Sequence, residues 1–383
     1  MKKLILFLLL IIFALTALIK NMQAQLITND KNWNSTPFFN DNFTPLSPDR
    51  VWDSNWVDYP NNYQWMADYL WIVTHGAGEH QVVQRENAIF NEDDSSTIKL
   101  RATYEGWLDS TYSLPPSQNF YGGFPAGWHE KLYYYSGAIT TLEPILYGYF
   151  ETRCKFPVSR GSFPAFWLWG GSGGNYREID IFEYSWLFNN NYGWSENDSA
   201  RQFNGGIWYS NNSPYNTRYG DHGYIIPPSD PDLLNFHTYG LEWSPKYVTW
   251  YFDNKVIGEY YGDSVPSQSM YLLLNYSLDE RVIPGGVPIQ WPFPNNMIVD
   301  YVKVNKLKCG CDTNTVINSL AQLNSYYYSV KNTITVDGNG TTITVPSGSK
   351  VVLRAKDGIT ITKDFEVPLG SELDLITHPC PDE

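Results

Sequence analysis

The 383-residue sequence predicts an all-β protein: one large β-sandwich of the jelly-roll kind, followed by a small all-β module. Three observations carry this. Short apolar and aromatic runs alternate with a period of two from Gln25 to about Lys308. Gly, Pro, Asn, Asp and Ser punctuate those runs, and helical periodicity is scarce. The style of the sequence then changes, with no Trp after Trp291.

Within the first region, Ser136–Leu142, Tyr147–Phe156 and Tyr247–Phe252 read as strands. Asp253-Asn254, between Tyr247–Phe252 and Lys255–Tyr260, reads as a two-residue hairpin turn. So many strands in one continuous stretch must bury their apolar faces against each other, which a two-sheet sandwich achieves. After a boundary near Leu307–Asn314, four short Thr/Val/Ile-rich strands follow, joined by Gly-containing turns. Val345-Pro-Ser-Gly-Ser-Lys350 and Val367-Pro-Leu-Gly-Ser-Glu372 look like two copies of one turn. The domain reading is therefore a large domain over 25–308 and an accessory or structural β module over 309–383.

The first 24 residues stand apart. Lys2 and Lys3 precede an apolar run of 15 residues, Leu4 to Leu18, with Ala24 at a plausible cleavage point. The run falls short of the roughly 20 residues of a spanning helix. A cleaved secretory signal and a secreted, soluble protein without membrane attachment are expected. Export permits disulfides. Cys154, alone in a strand, is expected to be a buried free thiol, and either Cys309 or Cys311 could bridge to Cys380.

The formal net charge is −14, from 26 basic and 40 acidic residues. An acidic surface argues against nucleic acid and anionic membranes and suits a neutral polymer. Aromatic residues make up 16% of the chain, including 15 Trp and 29 Tyr, enough to fill a β core and also line a sugar-stacking groove. No His-Glu-x-x-His pair occurs. His237 reads as structural.

One run carries chemistry: Glu178-Ile179-Asp180-Ile181-Phe182-Glu183. On a strand, residues two apart share a face, so Glu178 and Asp180 point the same way. Glu183, five residues on from Glu178, would point the opposite way on a regular strand. A β-bulge at Ile181-Phe182 restores it to the shared face and leaves Ile179, Ile181 and Phe182 for the core. Adjacent like charges destabilise a sheet, so a structural purpose does not explain the arrangement. Two carboxyls about 5–5.5 Å apart are what a retaining glycosidase needs, one as nucleophile and one as acid/base. Repulsion raises at least one pKa, which suits a group that must hold a proton near neutrality. Asp180 is placed to hydrogen-bond Glu178.

The run resembles the bulged Glu-x-Asp-x-x-Glu signature of glycoside hydrolase family 16. Tyr147–Pro157, Phe163–Trp169, Phe236–Trp243, Val248–Asp253, Met270–Asn275 and Val299–Val304 extend the resemblance over roughly residues 30 to 306. The resemblance implies a concanavalin-like jelly roll with an open concave cleft. It implies Glu178 as nucleophile, Glu183 as acid/base, Asp180 as assistant and Trp167 as a sugar-stacking neighbour. Trp128, Trp208 and Trp243 are further candidate platforms. Trp208 stands near the place where the family often has His. Tyr176-Arg177 before Glu178 is a second departure, and Arg177 is expected in a surface salt bridge. No cofactor is required. A structural calcium is possible, with Asp300 placed to be a ligand. The expected activity is endo-hydrolysis of β-1,3- or β-1,3-1,4-glucan by a monomer. An algal galactan is the alternative substrate, and a non-catalytic glucan-binding protein the alternative of another class.

Overall fold

The computed structural model describes residues 25–26, 33–44, 50–53, 57–59, 64–69, 81–92, 96–105, 133–158, 161–172, 175–184, 203–209, 219–225, 232–245, 247–262, 264–278, 293–307, 309–324 and 330–377. The chain divides into two compact units. One is Thr36–Lys306; the other joins Leu307–Glu383 to the residues before Thr36. The proposed signal segment and Trp128 lie outside the described residues. Among the described residues, no helix is long and apolar enough to cross a membrane.

The larger unit is a sandwich of two mostly antiparallel sheets. Among the described residues, the first sheet has seven strands: β1 (Trp65–Met66), β2 (Ala138–Thr141), β3 (Ser162–Ser172), β4 (Asn175–Glu183), β5 (Asn204–Tyr209), β6 (Tyr219–Ile225) and β7 (Tyr271–Leu278). Their order is β6-β5-β4-β3-β7-β2-β1. The second sheet, with ten strands among the described residues, runs through Lys255–Tyr261, Tyr247–Phe252, His237–Ser244, Gly148–Lys155, Asn295–Asn305 and Ile98–Tyr104.

Alternation decides which side chains fill the space between the sheets. On β7, Leu272, Leu274, Tyr276 and Leu278 enter the core, while Leu273, Asn275 and Ser277 face the other way. From the facing sheet, Val248, Trp250 and Phe252 enter the same core. Burial of each large apolar side chain there contributes about 1.5–3 kcal/mol. The Asp253-Asn254 turn has φ of 45° and 63°, the left-handed pair that lets a two-residue hairpin follow the strand twist. His237 is structural as expected: its Nδ1 meets Asp253 Oδ2 at 2.8 Å. Cys154 is a buried free thiol.

The smaller unit differs from a conventional set of hairpins. Cys309–Ile317, Val330–Val336, Ser349–Ile361 and Glu372–Thr377 pair in parallel. Ile343–Thr344 also pairs in parallel with Phe365–Glu366. Ile343 faces Phe365 and Lys350 faces Glu372, a common offset of 22 residues. The chain therefore coils, and each coil lies on the last. The duplicated turns close alike, Ser349 N–H donating to Pro346 and Ser371 N–H to Pro368. Ile334, Val336, Ile343, Val345, Val351 and Leu353 form a core of their own. Gln25–Leu26, expected in the large domain, pairs instead with Ser349–Lys350, and Trp33 bridges to Leu307. Cys311 is disulfide-bonded.

Candidate active site

β4 is a central strand, and its pairing is irregular at one place. Against β3, Phe182 faces Phe166 but Asp180 faces Trp167, so Ile181 is an extra residue. Against β5, Asp180 faces Gly206 and Glu183 faces Asn204, so three steps on β4 match two on β5. This is the bulge at Ile181-Phe182. Both of those side chains, with Ile179, enter the core. Glu178, Asp180 and Glu183 consequently share the face turned away from it.

A contact from the opposite sheet supports the bulge. Trp250 Nε1 donates to the backbone oxygen of Asp180 at 2.8 Å. Gly205 makes room for it: a Cβ there would lie 2.7 Å from Trp250 Nε1 and 3.0 Å from the Asp180 oxygen.

The outward face is built by register. Glu178 stands between Trp169 on β3 and Trp208 on β5. It is buried, as is Asp180. Burial is the largest influence on the Asp180 carboxyl and pushes its pKa well up; the charges of Glu183 and Glu178 push the same way. Asp180 is hydrogen-bonded to Glu183, where Glu178 was the expected partner. The bulge explains the difference, since it swings Glu183 back beside Asp180. Trp208 Nε1 donates to Asp180 Oδ2 at 2.7 Å and opposes the upward shift.

The expected aromatic platforms divide. Trp167 lies on the acidic face but is only 3% exposed, packed with Tyr69, Ala165 and Leu273. Its Nε1 donates to Asn275 Oδ1 at 2.7 Å, and Asn275 in turn donates to Ser277. Trp208 is half-buried on that face. Trp243 is a correction: it is fully buried between the sheets, with Nε1 bound to the carbonyl of Pro266, and offers no surface to a ligand. The reason is register, because Trp243 shares the inward side of its strand with Leu241. Arg177 lies over the ring of Tyr209 across the β4–β5 pair.

The structure adds Trp169 and Tyr271 to this face. They face each other across β3 and β7, partly buried, in the cross-strand row of Glu178, with Trp169 its direct neighbour and Tyr271 one strand further. The available signal was Trp169's position two residues after Trp167 on one strand. Asp300 falls at a bulge opposite Arg153-Cys154, and its carboxylate is ion-paired with Arg153. Among the described residues, no group of three or more His, Cys, Asp or Glu side chains is arranged to hold a metal.

Carboxyls on one face, one of them pushed toward its protonated form by burial and by its acidic neighbours, can both donate a proton and attack a carbon centre. The profile of the glycosyl hydrolases family 16 matches residues 77–281, more than half of the chain. The chain belongs to that family. Among relatives of this family 16 protein is endo-1,3-1,4-beta-glycanase EglC of Rhizobium meliloti, 30% identical over 182 residues, 45% of this chain and 34% of that protein. Glucan endo-1,3-beta-glucosidase A1 of Niallia circulans is 25% identical over 206 residues, 48% of this chain and 28% of that one. The match thus spans about a third of the length of these curated relatives. The laminarinase catalytic domain of Thermotoga maritima MSB8 superposes with a TM-score of 0.51 at 22% identity, over 73% of this chain and all of that domain, a likeness of fold.

Proposed function

We propose that this family 16 protein is a secreted endo-β-glycanase. It hydrolyses internal bonds of a β-1,3- or mixed-linked β-glucan by double displacement. The observation that carries the reading is the bulge that gathers Glu178, Asp180 and Glu183 on one face. Glu178 attacks the anomeric carbon while Glu183 gives its proton to the leaving oxygen, forming a glycosyl-enzyme and a shortened chain. Glu183 then takes a proton from water, whose oxygen displaces Glu178 and restores both carboxyls. Asp180 keeps its proton and steadies the negative charge on its neighbours. Trp169 and Trp208 border Glu178, with Tyr271 beyond Trp169 in the same row, and they offer flat apolar rings to sugar faces.

The glucan preference is supported by the 1,3- and 1,3-1,4-specific names of the two relatives. The basic start and apolar run before Ala24 support export.

The test is turnover of laminarin and lichenan beside agarose, porphyran and carrageenan, with the product anomer followed by NMR. Retained β configuration on a glucan is expected, and Glu178→Ala and Glu183→Ala should each remove turnover while the protein stays folded. Undiminished activity in either variant overturns the roles. Cleavage confined to a galactan overturns the substrate.

A further inference from the structure

The contact between Trp208 and Asp180 carries more than wall-building. An indole N–H can only donate a hydrogen bond. Its acceptor, Asp180 Oδ2, lies 2.7 Å away. Asp180 is 1% exposed, and its hydrogen-bonding neighbour on the same strand is Glu183. With Oδ2 committed as an acceptor, a proton on this carboxyl is favoured at Oδ1.

We propose that Trp208 is a positioning residue that acts through Asp180: its N–H fixes which oxygen of Asp180 carries the proton, and so aims that proton at Glu183. The proposal rests on the catalytic reading above. In that reading Glu183 becomes negative once it has protonated the leaving oxygen. The Asp180 hydroxyl then strengthens its hydrogen bond to the new carboxylate without giving up the proton. No atom or charge leaves Asp180.

The surroundings leave the two acids as the groups this arrangement serves. Asp180 faces Trp167 on β3 and Gly206 on β5, neither of them titratable. Its backbone oxygen is held by Trp250. Glu183 and Glu178 are the titratable side chains whose charges push hardest on it. Trp208 is thus a donor that stays a donor at every pH, where an imidazole would titrate.

Trp208→Phe keeps an aromatic ring and removes the N–H. Without the fixed donor, the Asp180 proton is free to sit on either oxygen, and Glu183 loses part of its support as a carboxylate. The expected result is a fall in kcat of about tenfold to a hundredfold, the usual weight of a hydrogen bond to a charged group. KM should change far less, and the alkaline limb of the kcat/KM profile should move to higher pH. Trp208→His, which returns an N–H, should recover part of kcat. An unchanged kcat, a loss confined to KM, or a loss of kcat with the alkaline limb unmoved would each overturn the proposal. Should Trp208→Phe fail to unfold cooperatively, Trp208→Leu, which also lacks the N–H, decides by its limb: displaced to higher pH upholds the proposal and unmoved overturns it. Glu178→Ala and Glu183→Ala are measured alongside. If they retain turnover, the catalytic reading fails; if they are inactive while Trp208→Phe behaves as wild type, only the role of Trp208 fails.

Discussion

Trp250 and Asp180 belong to opposite sheets, yet the indole N–H of one binds the backbone oxygen of the other at 2.8 Å. The bond crosses the core at the point where β4 gains its extra residue. Gly205 lies against both groups. Gly205→Ala should therefore destabilise the protein by about 1–3 kcal/mol through overpacking. It should also lower kcat at least as strongly as it lowers stability, because the shift falls on the carboxylate strand. Trp250→Phe should cost about 1–3 kcal/mol by leaving a buried carbonyl without its donor. Urea unfolding paired with kcat on laminarin checks both; wild-type kcat in either variant would separate the bulge from the chemistry.

Asp68 gives a pH dependence of stability. Burial pushes its carboxyl up to about 7, opposed by a hydrogen bond from the backbone of Tyr69. Its folded pKa is thus above the unfolded value of about 4. The contribution to stability is complete below that unfolded value and is lost as pH rises through about 7. Asp68→Asn should flatten this part of the curve. Urea midpoints between pH 5 and pH 8 will show it, and identical slopes for wild type and variant would remove Asp68 as the cause.

Glu151 works in the opposite direction. Burial pushes its carboxyl up, but Lys303 at 2.5 Å and the hydroxyls of Tyr149 and Tyr301 outweigh it and hold the pKa below the usual carboxylate range. Stability from this group is present above the unfolded pKa and is lost as pH falls through the folded one. Lys303→Met should cost up to about 3 kcal/mol at pH 7, the low end for breaking a buried pair, because Lys303 is 31% exposed. The penalty should shrink at pH 4. A pH-independent penalty would point to lost packing instead.

The two units have separate cores. A protein limited to residues 36–306 should therefore fold and cleave soluble glucan with unchanged kcat. Circular dichroism and turnover of laminarin test this, and failure to fold would make the coiled unit a structural requirement.

Much of the candidate site was legible because strand alternation is strict. Two core-bound residues in succession, Ile181 and Phe182, between acids of one face can be reconciled only by a bulge. The Asp253-Asn254 hairpin was legible for a similar reason, since few residue pairs accept two positive φ angles. The burial of Trp243 was not legible, because a Trp in a β strand has the same local appearance on either face. Which face it takes depends on its partner strand. Trp208's role depends on a carboxylate 28 positions away. The parallel coils were hidden too, because Gly-containing turns announce a reversal and do not say whether the next strand lies antiparallel beside its neighbour or one coil further on.

The coils have a consequence for length. The last circuit pairs throughout at a 22-residue offset, so equivalent points on it present the same pairing edge. Excising 22 residues between equivalent points of the Val345 and Val367 turns would bring like geometry together, and inserting the same number would add a storey. This part of the chain can thus grow or shrink in whole-circuit steps without changing its register, whereas β4 cannot lose even one residue without turning Glu183 into the core.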